Sequence, residues 1–147
     1  MKLFFVFISV CFALNVLSTQ TPEVQKKVDS LYTLIKKSTN DTTKINLLLK
    51  IDDLIYLTDV KSDVKINFEI IELCNSNLKL KLKDKERIFY KKLLAKANIN
   101  LGTISQDKGD YDKAIFHYRK SLKHYTELKN WSGQGTALGN IASVFML

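Results

Sequence analysis

Apolar residues return at three- and four-residue spacing along most of this chain, and very little interrupts them. The 147 residues include only 5 Gly and 1 Pro. A sandwich or barrel needs turn residues every ~8–12 positions, so the chain is expected to build long helices. Val24, Val28, Leu31, Leu34 and Ile35 form a first stripe, after Thr21 as N-cap and Pro22 at the first helical position. This predicts a helix over 21–38, ended by Asn40-Asp41-Thr42-Thr43. Further helices are expected at Thr43–Leu57, from Ser62 or Asp63 to Leu78, at Asp84–Lys108, at Tyr111–Leu128, and after an Asn130 cap. Residues 78–83, LKLKLK, alternate like a strand, but with no strand partner they read as a helix end and loop. The fold class is all-α, with short links that make neighbouring helices antiparallel hairpins.

Met1–Ser18 has the layout of a secretory signal: Lys2, then an apolar run from Leu3 to Leu17. The run is shorter than the ~20 residues that span a bilayer. Val16 and Ser18 suit the −3 and −1 positions for cleavage before Thr19. Val10 precedes Cys11 where a lipobox wants Gly or Ala, so a lipid anchor is disfavoured. The protein is expected to be exported, periplasmic or secreted, with no membrane span after cleavage. Cleavage would leave Cys74 without an intramolecular partner, at a position that suits a small core residue.

The charge of +8 comes from 21 Lys and 2 Arg against 15 acids. Phosphate and nucleic-acid sites lean on the forked guanidinium of Arg, so nucleic acid is not an expected partner. Between Lys79 and Lys96 eight cations face only Asp84 and Glu86, which reads as a solvated surface. His117 and His124 lie seven apart rather than at the four-residue spacing of a helical metal pair, and are expected on an exposed helix face. Asp52-Asp53 and the pair Asp110 and Asp112 read as structural acids, the latter at a helix start. Gly133-Gln134-Gly135 follows no strand and is no dinucleotide loop. No catalytic residue, cofactor or metal is expected.

Leu101-Gly102-Thr103-Ile104-Ser105 recurs as Ile141-Ala142-Ser143-Val144-Phe145, 40 residues on. Between them lie Gly109-Asp110, Ala114, Tyr118 and Ser121. This pattern resembles the tetratricopeptide repeat (TPR), in which helix A carries a large–small pair and helix B carries Ala, an aromatic and a small residue. The resemblance gives structural positions to Leu101, Gly102, Ala114, Tyr118, Ser121, Ile141, Ala142 and Phe145. It implies hairpins stacked as an α-solenoid after the signal helix. Residues 1–18 would be the signal peptide, 19–83 degenerate repeats, and 84–147 one full repeat plus helix A of the next.

The whole plan is similar to the N-terminal sensory regions of TPR signalling proteins from Bacteroidetes-type bacteria. There, such arrays precede a histidine kinase or DNA-binding output, and the chain is expected to be a fragment of a longer protein. The resemblance implies an exported scaffold that binds a protein or peptide partner, with the periplasmic region of a sensor histidine kinase as the alternative. Its groove would be formed by Lys96, Ile99, Asn100, Thr103, Gln106, Asp107, Thr136 and Ser143, with Gly139 and Met146 continuing it. Ile99 and Thr103 replace residues of the family's carboxylate clamp, so a C-terminal carboxylate is not the expected ligand. Intact mass of the native protein should correspond to a chain that starts at Thr19; a membrane-bound chain retaining Met1 would mark residues 1–18 as an anchor.

Overall fold

The computed structural model describes residues 21–56 and 58–146, so the expected signal segment lies outside the described residues. They form six helices and no strand: α1 (Pro22–Lys37), α2 (Asp41–Ile55), α3 (Val60–Leu78), α4 (Asp84–Asp107), α5 (Tyr111–Glu127) and α6 (Trp131–Val144). The chain is all-α as expected. None of these helices is long and apolar enough to cross a membrane.

The helix starts follow capping chemistry. Thr21 Oγ1 accepts from the Val24 amide, and Asn130 Oδ1 from the Gly133 amide, as expected at both positions. Two starts differ from the sequence reading. Asn40 caps α2 by accepting from the Thr43 amide, so the helix begins at Asp41 rather than Thr43. Asp59 caps α3 by accepting from the Ser62 amide. Ser62 and Asp63 therefore lie inside the helix, and Asp63 is buried.

Hydrogen bonds between helices fix their directions. Asp41, at the start of α2, accepts from Asn77 near the end of α3, while Asp52 near the end of α2 accepts from Asn67. Tyr90, early in α4, donates to Asn77. Lys91 pairs with Glu127 at the end of α5, while Gln106 near the end of α4 accepts from Tyr118. Each pair is antiparallel. Backbones approach closely only between consecutive helices and, over a small area, between α4 and α6.

Two apolar clusters result. The larger joins Val28, Ile45, Leu48, Ile51, Ile55, Ile66, Ile70 and Cys74 to Tyr90, Leu93, Leu94 and Ala97 of α4. Burial pushes the Cys74 thiol up to about 12, so it stays protonated and behaves as an apolar side chain. The smaller cluster is built on Ala114, Tyr118 and Val144, with Ile99, Ile115 and Ile141 against it.

The α4–α5 and α5–α6 turns share one geometry. Gly109 and Lys129 take φ of 75° and 52°. The next amides, Asp110 and Asn130, then donate back to the carbonyls of Ser105 and Tyr125 at 2.9 Å. Gly109 adopts this conformation freely, whereas Lys129 does so against its own Cβ.

A Cβ on Gly102 would overlap the Tyr118 ring, whereas Gly135 faces open space. Gly102→Ala should therefore lower unfolding free energy by about 1–3 kcal/mol, as overpacking does. Gly135→Ala should raise it by up to about 1 kcal/mol through helix propensity. Urea denaturation of the two variants checks both signs.

Candidate functional site

Since α2 and α4 are both antiparallel to α3, they run in the same direction. Thr42 and Tyr90 hydrogen-bond at 3.0 Å near their starts, and Asn100 Nδ2 donates to Asp52 Oδ2 at 3.3 Å further along. Between the end of α2, the start of α3 and the facing side of α4 the surface sinks into two clefts that share Tyr56, the residue just after α2. One, of about 240 Å³, is lined by Asp52, Asp53, Tyr56, Lys96 and Asn100. The other, of about 210 Å³, is lined by Tyr56, Val60, Asp63, Thr103, Ile104, Asp107 and Lys108.

The floor of this trough is polar and buried. Asp52 is 3% exposed, Asp63 1% and Asn67 1%. The Asn67 amide nitrogen donates to Asp52 Oδ1 at 2.8 Å and to Asp63 Oδ1 at 2.6 Å, and also to the Asp63 carbonyl. Asn100 donates to Asn67 Oδ1 at 3.3 Å. Burial, followed by the hydrogen bond and charge of Asp52, pushes the Asp63 carboxyl up to about 7, against the opposing pull of Asn67. Asp53, next in sequence, points to water and meets Lys96 at 3.9 Å. An exposed pair at that distance contributes little.

Four of the residues expected in a groove line the two clefts: Lys96, Asn100, Thr103 and Asp107. Gln106 is engaged laterally, accepting from Tyr118 Oη at 2.9 Å and donating to Ser143 Oγ at 3.2 Å. Ile99 is half-buried and packs on the smaller apolar cluster. Thr136, Gly139 and Met146 are exposed on or just after α6, away from the residues that line the trough. Of the expected structural positions, Leu101, Gly102, Ala114, Tyr118 and Ser121 are buried. Ile141 is half-buried, but Ala142 and Phe145 are exposed, because no described helix packs on that side of α6.

The histidines differ from expectation. His117 is 6% exposed, because it falls on the same inward stripe as Ala114, Tyr118 and Ser121. Its Nδ1 hydrogen-bonds Asn98 Oδ1 at 3.1 Å, and its ring makes T-shaped contacts with Phe68 and Phe116. Burial lowers the pKa of both His117 and His124, favouring the neutral imidazole.

A further cleft of about 360 Å³ lies between α3 and α5, lined by Ser105, Asp110 and His117 among others. These three residue types could form a nucleophilic relay, but here they are not connected. Ser105 Oγ donates to the Leu101 carbonyl, His117 bonds Asn98, and Asp110 caps α5 and pairs with Lys113. Among the described residues, no three of His, Cys, Asp and Glu come together as a metal site requires.

The trough residues that sequence reasoning missed are Tyr56 and Asp63, together with the Asn67 bridge beneath them. The signal for Asp63 and Asn67 was their register: they share a stripe with Ile66, Ile70 and Cys74. In comparisons with known proteins, no family model, no curated protein and no solved structure matches this chain.

Asn67→Ala would remove the donor that Asp52 and Asp63 share, leaving Asp52 only the 3.3 Å bond from Asn100, and should cost about 1–3 kcal/mol in chemical denaturation. Asp53→Ala, on the exposed side, should stay within about 0.5 kcal/mol of the parent chain.

Proposed function

We propose that this chain is a non-enzymatic, exported helical scaffold of the TPR type, which binds an extended segment of a protein partner in the trough between α2 and α4. The observation that carries this reading is the convergence of Lys96, Asn100, Thr103 and Asp107 from α4 with Tyr56, the residue just after α2, along two adjoining open clefts. From Lys96 to Asp107 the helix advances about 16 Å at ~1.5 Å per residue. That is the length of about five extended residues at ~3.3 Å each. Amide, hydroxyl and carboxylate groups along the trough suit the main-chain donors and acceptors of such a segment. Tyr56, 42% exposed, offers the apolar surface that anchors an interface.

The stacking of hairpins as a solenoid is part of the same proposal, and the packing of consecutive helices supports it. So do the Gly109 and Lys129 turns, which repeat one connection twice. In this reading the scaffold serves as the sensory input of a larger signalling protein, and any enzymatic output belongs to residues outside this sequence.

A photo-crosslinking amino acid at Tyr56, expressed in the protein's own cells, should give a discrete adduct. The same probe at Arg119, on the exposed side of α5, should not. Equal labelling from both positions, or labelling from Arg119 alone, would refute the trough assignment.

A further inference from the structure

Asp52 and Asp63 come from different helices, yet both bury their carboxyls against one amide nitrogen, at 2.8 and 2.6 Å. Two ionised carboxylates held on one amide nitrogen repel each other at close range, so the site favours a proton on one of them.

The surrounding charges do not remove that preference. Asp53 on α2 and Tyr56 just after it line the same trough; Asp59 caps the start of α3; Lys96 and Asp107 lie on α4, with Lys108 just after it. Lys96 meets Asp53, not the buried pair. Lys108 is exposed at the cleft rim. From α1, Lys27 reaches the far side of Asp53 and pairs with Glu23 at 2.7 Å. Among the described residues, no ion pair involves either buried carboxyl.

We propose that the Asp52–Asp63 pair is a one-proton latch that closes the α2–α3 hairpin beneath the trough and releases it when the proton leaves. Asp52 lines one cleft and Asp63 the other, so a proton can reach either carboxyl without unfolding. Loss of the proton puts two negative charges on one amide in a buried site. The relief is separation of α2 from α3, which also moves Tyr56 and Asp52 away from Asn100. The latch is a property of the hairpin and stands whether or not the trough binds a peptide.

The sign follows from linkage. The folded chain keeps a proton that the unfolded chain, whose aspartates titrate near ~3.9, has already lost. Stability from this pair is therefore full below about pH 4, falls as pH rises from there, and is lost by about 7. His117 and His124 act in the opposite direction, because their depressed pKa values weaken the fold on acidification. The test is therefore a difference between two chains rather than one curve.

Thermal midpoints of the parent chain and Asp63→Asn should be compared at pH 5 and pH 8. The amide can take the place of the protonated carboxyl, so the variant should gain on the parent by roughly 5 °C or more between the two pH values, as one lost pKa window implies. An unchanged gap would overturn the latch. If Asp63→Asn does not fold, the carboxyl carbon shift of Asp63 in the parent chain decides. A midpoint near neutrality supports the latch, and a midpoint near that of a free aspartate overturns it. Amide exchange adds the conformational readout: α2 and α3 should open more at pH 8 relative to α5, and equal change in all three would refute a local release.

Discussion

The architecture depends on the need to bury α4 on several sides at once. Its buried residues include Tyr90, Leu93, Leu94, Ala97, Leu101 and Ile104, which do not fit on one narrow stripe. A helix apolar on most of its circumference has to be surrounded. In this chain α3 covers one side and α5 another, with α6 touching the end. The first turns of α4 complete the aliphatic cluster of α1–α3, and Ile99 joins the smaller cluster around Tyr118. The strip from Lys96 to Asp107 is left partly uncovered, as are Lys85, Glu86, Ile88 and Lys92 nearer the start of the helix, and this strip forms one wall of the trough.

Apolar contact alone would not fix how the helices slide past one another. Three buried asparagines supply that. Asn67, Asn77 and Asn98 each donate to the carbonyl four residues earlier in their own helix, and each also bonds a side chain on a neighbouring helix. Asn77 links Asp41 and Tyr90, Asn98 holds His117, and Asn67 joins the two aspartates. A one-residue slip in any of these pairs would leave a desolvated amide without its partner, which costs far more than the slip gains in contact.

The sequence announced the helices well, because periodicity, capping residues and breakers are local. Thr21 and Asn130 as caps and the loop after Leu78 were all legible there. Asp63 was not, since aspartate is favoured at N-caps and residue type outweighed register. His117 failed for the same reason: a polar residue was assigned to the surface although it lies one residue from Tyr118 on the inward side of α5. The Asp52–Asn67–Asn100 connection spans three helices, and no local pattern encodes it. Polar residues in step with an apolar stripe are the trace that such a connection leaves in a sequence.

The close packing of each helix on its neighbours in the chain bears on how the molecule reaches its native state. Most pairings close a short loop, so little chain entropy is lost before contacts begin to form, and low contact order of this kind goes with folding in microseconds to milliseconds. The α4–α5 hairpin has the most extensive pairing and a glycine turn already suited to it. It is the natural nucleus, with α3 and α6 adding on either side. Growth then runs outward from this hairpin through the neighbouring helices.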